Sequence, residues 1–149
     1  MKEVDIFLAS DHAGFAVKEK IKNHLVLKGY AIFDCGAFSK NEKDDYPDFI
    51  IPCAKNVAKT KNSLGIILGG SGQGEAIAAN KIKGIRAVVY YGGNNKIIKL
   101  SKEHNNANIL SLGVRFLRTP EALRAVDLWL KTPFSNEERH KRRLRKIGK

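Results

Sequence analysis

Residues 64–81 of this 149-residue chain read LGIILGGSGQGEAIAANK and predict a strand, a tight loop and a helix in direct succession. The apolar run 64–68 has the length and branching of a strand that is buried on both faces of a parallel sheet. Three of the five residues at 70–74 are glycine, so the backbone there can approach a ligand closely. Glu75 then opens a helix whose first N–H groups are free to bind an anion. The stretch therefore predicts a small-anion site with a carboxylate beside it.

The glycine loop does not match the motifs that bind nucleotides. It lacks the Gly-Lys-Ser/Thr ending of a P-loop, and the third glycine of a dinucleotide fingerprint is replaced by Glu75 or Ile77. The next acidic residue after Glu75 is Glu103, so no acid lies at about 20 residues to hold a ribose. The loop suits a small anion better than a nucleotide.

The hydrophobic pattern on both sides of this stretch predicts short strands that alternate with helices. Strands are expected at 4–10, 30–34, 64–68, 86–91 and 108–112, and helices at 15–27, 47–60, 75–81, 94–103, 119–131 and 135–146. Such alternation gives a three-layer α/β/α sandwich with a five-stranded, mostly parallel, Rossmann-like sheet. We expect one domain over 1–149, with a basic C-terminal helix at about 135–147.

The net charge of +12 is unevenly distributed. Residues 137–149 hold seven Lys/Arg and two Glu, a net charge of +5, which leaves +7 on the other 136 residues. A basic tail can bind nucleic acid, a membrane surface or an anionic metabolite, and it can equally be a solvated helix end. Charge alone does not decide between these partners.

The sequence also favours a cytoplasmic location. It has no uncharged apolar run of about 18 residues, and its first residues carry acids where a signal peptide is apolar. Cys35 and Cys53 lack the spacing of metal ligands and are expected to be small buried residues in a reducing compartment.

Polar residues flank several of the predicted strands. In parallel sheets the ligand lies beyond the C-terminal ends of the strands. We expect the flanking polar residues to meet at one edge of the sheet: Asp11, His12, Asp45, Tyr46, Gly70 to Glu75, His104, Asn105 and Arg115. His104 and Asn105 precede the fifth strand, and Arg115 follows it.

Taken together, these segments resemble the ribose-5-phosphate isomerase B and galactose-6-phosphate isomerase family of sugar-phosphate isomerases. The resemblance covers essentially the whole chain and rests on Ser10-Asp11-His12-Ala13-Gly14, Asp45-Tyr46-Pro47, Gly69 to Lys81, His104-Asn105-Asn106-Ala107-Asn108, Gly113-Val114-Arg115 and Glu138-Arg139-His140-Lys141-Arg142-Arg143. Many members carry a cysteine base at the position that is Gly69 here. This chain is similar to the branch in which a glutamate, here Glu75, takes that role.

The resemblance implies an aldose–ketose isomerase that interconverts ribose 5-phosphate and ribulose 5-phosphate through an enediolate, without a metal or another cofactor. Glu75 would transfer the proton and His104 would open the sugar ring. The substrate-binding residues would be Asp11, His12, Gly70, Ser71, Gly72, Gln73, Gly74, Asn105, Arg115, Arg139 and Arg143. In the family the last two come from a neighbouring subunit, which implies a homodimer, or a dimer of dimers, with shared active sites.

Simpler roles remain open for the individual residues. Glu75 could merely complement the helix dipole, Asp11 and Ser71 could be helix caps, and His104 could be a surface residue. The nearest alternative function is the isomerisation of a six-carbon sugar phosphate, such as galactose or allose 6-phosphate. An alternative of another class is a basic nucleotide- or nucleic-acid-binding module, although the chain has no array of base-stacking aromatic residues. A metal hydrolase is disfavoured, because the His, Asp and Glu residues lack ligand spacing. We expect neither nucleic acid nor a membrane as a partner.

Overall fold

The computed structural model of the protein describes residues 3–148 and contains the five strands and six helices that the sequence predicts. In chain order they are β1 (Asp5–Ser10), α1 (Phe15–Leu27), β2 (Ala31–Asp34), α2 (Pro47–Lys59), β3 (Ser63–Gly69), α3 (Gln73–Asn80), β4 (Ala87–Tyr90), α4 (Lys96–Glu103), β5 (Ile109–Gly113), α5 (Thr119–Lys131) and α6 (Glu138–Ile147). Helix α4 begins two residues later than expected. The Asn94 side chain instead accepts a hydrogen bond from the Lys96 N–H, so Asn94 lies outside the helix.

All neighbouring strands pair in parallel, in the order β2-β1-β3-β5-β4. The sheet was expected to be mostly parallel, and within residues 3–148 every pairing is parallel. The reason is that a helix carries the chain back between each strand and the next along the sequence. β3, which precedes the glycine loop, lies at the centre of the sheet.

An apolar layer covers each face of the sheet. Successive side chains of a strand point to opposite faces, so Ile66 and Leu68 pack with α1, α4 and α5, whereas Ile67 packs with α2 and α3. Trp129 of α5 is fully buried in the first layer. The continuous apolar run at 64–68 is therefore explained by burial on both sides, and the three-layer α/β/α prediction is confirmed.

Parallel pairing separates the ends of the strands into two edges of the sheet. We call the edge where the strands end the carboxyl edge and the edge where they begin the amino edge. β3 has seven residues, so at about 3.3 Å per residue the two edges lie roughly 20 Å apart. Each functional residue can therefore be assigned to one edge from its place in the chain.

One of the two cysteines differs from the expectation that both are buried. Cys53 is fully buried, as predicted, but Cys35 at the end of β2 is only half-buried. Hydrogen bonds from Cys53 and Asn56 lower the pKa of the Cys35 thiol to about 7, although burial opposes this change. Cys35 is thus more readily ionised than an ordinary thiol.

Within residues 3–148, none of the helices combines the length and the apolar character needed to cross a membrane.

Candidate active site

The glycine loop at 70–74 lies at the carboxyl edge and is held against β5. The Ser111 hydroxyl donates a 2.6 Å hydrogen bond to the Gly72 carbonyl. Gly72 has a φ of +78°, and a Cβ atom there would lie 3.0 Å from the Ser111 Oγ, so only glycine fits this turn. Sequence reasoning missed Ser111, because a small polar residue inside an apolar strand carries no distinctive signal.

Backbone donors in this loop are available to a ligand. Within residues 3–148, the N–H groups of Gly70, Ser71, Gly72 and Gly74 donate no hydrogen bond to another protein group. The Gln73 N–H donates to the Ser71 hydroxyl over 3.3 Å, although the N-cap residue of α3 is Gly72 and not Ser71, and the Gln73 side chain is exposed. The loop therefore presents free N–H groups of the kind that bind a small anion.

Glu75 places a buried carboxylate beside these donors. Its exposed fraction is 5%, and its Oε2 has no hydrogen-bond partner within the described part of the chain. Burial raises the pKa of this carboxyl, and the negative charge of Asp11 raises it further, whereas the Glu75 backbone N–H opposes both. A buried carboxylate with a raised pKa has the character of a general base.

Gly69 provides the space that the Glu75 carboxylate occupies. A Cβ atom at residue 69 would overlap the Glu75 carboxyl group. A side chain at 69 and the buried carboxylate of Glu75 therefore exclude each other. This overlap gives a physical reason why the chain has glycine at position 69.

Asp11 combines a structural contact with an electrostatic one. Its Oδ1 accepts hydrogen bonds from the N–H groups of Ala13, over 2.9 Å, and Gly14, over 3.3 Å. These hydrogen bonds close the turn before α1, whose N-cap residue is Gly14, so Asp11 is not the cap of this helix. The charge of the same carboxylate also acts on Glu75, which places Asp11 at the carboxyl-edge site.

His12 is paired with Asp44, a residue that the sequence analysis did not select. His12 Nδ1 lies 2.7 Å from Asp44 Oδ1, and the His12 backbone N–H donates to the same oxygen over 3.2 Å. The hydrogen bond to Asp44 raises the pKa of His12, and the charge of Asp11 raises it further, while partial desolvation and Arg115 lower it. Asp45, which the sequence singled out, is exposed. The available signal was the length of the polar loop at 36–48, which contains both acids.

Asp11, His12 and Asp44 are also the group within residues 3–148 that has the geometry for a metal ion. Their ligand atoms all lie within 4.8 Å of one another. The spacing of these residues along the sequence does not indicate this group, because residues 11 and 44 meet only through the fold. An ion bound to His12 Nδ1 would replace the His12–Asp44 contact.

Two more side chains border the glycine loop. The Arg115 N–H donates to the Gly70 carbonyl over 3.1 Å, and its guanidinium covers Gly70, where a Cβ atom would lie 2.9 Å from Nη1. The Tyr46 hydroxyl covers Gly74 in the same way, 2.6 Å from the position of a Cβ atom. Arg115 and His12 thus bring positive charge to the edge of the loop.

His104 and Asn105 lie at the amino edge, so the expectation that all candidate residues meet at one edge is wrong for them. His104 ends α4, where its N–H donates to the Leu100 carbonyl over 3.0 Å. Asn108, which follows shortly, accepts a 2.9 Å hydrogen bond from the Gly65 N–H near the start of β3. The physical reason is that a crossover helix returns the chain to the edge where the next strand begins. Residues that directly precede a strand therefore lie opposite the glycine loop.

Helix α6 brings two arginines to the amino edge, where His104 and Asn105 lie. The Ser135 N–H donates to the Glu103 carbonyl over 3.1 Å, which brings the start of the C-terminal segment to the end of α4. His140 of α6 then stacks on the His104 ring. Arg139 and Arg143 are exposed on this helix. The chain thus has a carboxyl-edge site around Glu75 and an amino-edge cluster of His104, Asn105, Arg139 and Arg143.

The fold and the carboxyl-edge site define a parallel α/β protein that presents a small-anion loop beside a buried carboxylate. A family model described as Ribose/Galactose Isomerase matches residues 6–147, and the chain belongs to this family.

Relatives with known names and structures are similar over nearly the whole chain. Ribose-5-phosphate isomerase B of Mycolicibacterium paratuberculosis is 45% identical over 139 residues, which cover 93% of this chain and 86% of that protein. The crystal structure of ribose-5-phosphate isomerase B from Mycoplasma genitalium with bound ribulose-5-phosphate has a TM-score of 0.92 at 38% identity, covering 99% of this chain and 95% of that chain. The enzyme from Clostridium thermocellum has a TM-score of 0.91 at 43% identity, covering 97% and 95%.

The overlap between residue 69 and Glu75 predicts a non-additive effect on stability. Gly69→Ala should lower the free energy of unfolding by about 1–3 kcal/mol, because the Glu75 carboxylate must move. In a Glu75→Ala background the same change should cost about 1 kcal/mol less. The measurement is urea unfolding of the four proteins of this cycle. In a background of Glu42→Ala, an exposed residue, Gly69→Ala should cost as much as in the wild type. An equal cost in all backgrounds would contradict the proposed overlap.

The His12–Asp44 pair predicts a pH-dependent contribution to stability. Asp44→Asn should lower the pKa of His12, measured by NMR titration, because the main cause of the raised value is removed. In the wild type the pair stabilises the fold fully below the unfolded pKa of about 6.5, and this contribution is lost as the pH rises through the higher native pKa. The stability difference between wild type and variant should therefore shrink with rising pH. Asp127→Asn, which removes the partner of His24, is the matched control and should leave the pKa of His12 unchanged.

Proposed function

We propose that this protein is an aldose–ketose isomerase that interconverts ribose 5-phosphate and ribulose 5-phosphate. The observation that carries the proposal is the buried Glu75 carboxylate, with its raised pKa, beside a loop of free N–H groups. The names of the relatives and the ribulose-5-phosphate bound to one similar structure support this substrate. We expect the enzyme to act in the cytoplasm.

Glu75 has the position and the chemistry for the proton transfer. In an aldose–ketose isomerisation a base takes the proton from C2 of the open-chain sugar and returns it to C1. The negative charge of the intervening enediolate needs donors that are already oriented, and the free N–H groups of Gly70, Ser71, Gly72 and Gly74 can supply them. One well-placed donor of this kind contributes about 3–4 kcal/mol to the stability of the transition state.

The remaining groups would come from a second copy of the chain. Ring opening is assigned to His104, and phosphate binding is assigned to Arg139 and Arg143 together with His12 and Arg115. Because the edges of the sheet lie roughly 20 Å apart, His104 of one chain cannot reach a small sugar phosphate held beside its own Glu75. We infer a homodimer, or a dimer of dimers, in which each carboxyl-edge site is completed by the amino-edge cluster of the partner.

Exposed apolar side chains offer a surface for this contact. Ile77 and Phe116 are each 63% exposed close to the glycine loop, and Ile147 of α6 is 70% exposed. A groove of about 560 Å³ at the amino edge is bordered by Asn105 and Ile147. In a two-fold symmetric dimer the same patch is used twice, so contact between these areas would cover both active sites at once. The basic helix α6 would then reach the partner subunit.

The proposed reaction predicts a specific loss in one variant. Purified wild-type protein should convert ribose 5-phosphate to ribulose 5-phosphate, and Glu75→Gln should lower kcat by at least about 100-fold, since the amide cannot accept the proton. The measurement is the formation of the ketose at neutral pH. Glu42→Gln, at an exposed position, should retain full activity.

Other outcomes of this assay would contradict different parts of the proposal. An active Glu75→Gln protein would keep the isomerase and contradict the assigned base. A folded wild type that converts galactose or allose 6-phosphate instead would contradict the five-carbon substrate. Binding to nucleic acid that is retained in Glu75→Gln, without any isomerase activity, would favour the alternative binding module.

The shared site predicts recovery of activity when two inactive variants are mixed. Glu75→Gln and His104→Asn damage opposite edges, so a mixed dimer holds one intact site. After subunit exchange at equal concentrations we expect about a quarter of the wild-type activity, because half of the dimers are mixed and half of their sites are intact. The matched control is Glu75→Gln mixed with Asp11→Asn, which damage the same edge and should not recover. Absence of recovery in the first mixture would contradict sharing between chains.

A further inference from the structure

His140 is a buried histidine that the proposed reaction does not use. Its exposed fraction is only 3%, although Arg139, Arg142 and Arg143 of the same helix are exposed. Its ring stacks on the ring of His104, with 4.2 Å between the ring centres and 17° between the planes. The α6 helix is thus attached to the end of α4 by two nearly parallel imidazoles.

The stack is the contact that orients the His104 ring. Within residues 3–148, no hydrogen bond or ion pair holds the imidazole of His104, whose anchoring lies in the backbone at the end of α4. Asn106, two residues after His104, has a φ of +45°, so the chain turns sharply away immediately after His104. Without the ring of His140, the side chain of His104 would be free to change rotamer.

The surroundings of His140 favour its neutral form. Burial lowers the pKa of His140, and the positive charges of His104, Arg139 and Arg143 lower it further, while Glu137 acts in the opposite direction. Glu137 Oε2 lies 3.1 Å from Nε2, but the alignment is too poor for a hydrogen bond. A neutral ring can lie against His104 without repelling the proton that His104 must carry.

We propose that His140 is a positioning residue for ring opening: its buried ring fixes the plane of the His104 imidazole, so that His104 can reach the ring oxygen of a sugar phosphate held by the partner subunit. This inference rests on the proposed function. In the step, the bond between C1 and the ring oxygen breaks, and its electron pair goes to the oxygen, which takes a proton from His104. The anomeric hydroxyl loses its proton, C1 becomes a carbonyl carbon, and the released proton restores His104 through water.

Two reactions of the same enzyme separate ring opening from proton transfer. Ribulose 5-phosphate is an open chain, because its C5 hydroxyl carries the phosphate and cannot close a five-membered ring. Exchange of its C1 hydrogen with D₂O therefore needs the base Glu75 but not the opening of a ring. Conversion of ribose 5-phosphate needs both steps. A defect in the orientation of His104 should affect only the second reaction.

The test uses the full chain with His140→Ala and His140→Phe. We expect His140→Ala to lower kcat for ribose 5-phosphate by about 10- to 100-fold, because the reacting group is misplaced, while KM changes by less than about twofold. Deuterium exchange into ribulose 5-phosphate should stay within about twofold of the wild type. His140→Phe keeps a flat ring at the stacking position and should restore most of the lost rate. The matched control is His24→Ala, which removes a histidine of α1 that is paired with Asp127 of α5. This variant should leave both reactions unchanged.

The outcomes distinguish this inference from the proposed function. If exchange and turnover fall together in His140→Ala, or if phenylalanine gives no rescue, His140 is only a structural residue and the inference is overturned. If the wild type catalyses neither reaction, the proposed isomerase itself is wrong and the inference falls with it.

Discussion

Parallel pairing of all five strands determines where each polar residue of this protein can lie. Every strand ends at the edge that holds the glycine loop, and every crossover helix returns the chain to the opposite edge. Glu75 is consequently brought close to Asp11 and His12, although it lies far from them in the chain. His104 is carried away from them by the same rule. A reaction that needs both groups therefore favours the association of two chains.

Close contact between Gly69 and Glu75 is the second constraint on the site. The carboxylate is buried in a space that exists only because residue 69 has no side chain. Burial also raises the pKa of the carboxyl, so the packing that encloses this group also increases its affinity for a proton. The hydrogen bond from the Ser111 hydroxyl to the Gly72 carbonyl holds the free N–H groups of the loop beside the Glu75 carboxylate. The proposed base and the free N–H groups of the loop are thus held together by β3, β5 and the first turn of α3.

Positive charge is divided between the two edges of the sheet. His12, supported by Asp44, and Arg115 lie at the carboxyl edge, whereas Arg139 and Arg143 lie on α6 at the amino edge. A phosphate held between two chains could be contacted by both groups, which would explain why a helix with so many basic residues is folded against α4. The excess of charge in the tail is then a property of a binding surface, in addition to its effect on solubility.

The sequence by itself determined the alternation of strands and helices, the glycine turn before α3 and the positions of Glu75 and Arg115 after their strands. These features depend on local periodicity and on glycine, which act over a few residues. Only the tertiary structure decided that Asp44 supports His12, that Ser111 holds Gly72, that Glu75 fills the space at Gly69 and that His140 stacks on His104. Each of these contacts except the one at Gly69 joins residues more than 30 positions apart. Such pairs meet through the register of the sheet and the path of the crossover helices, which no local pattern encodes.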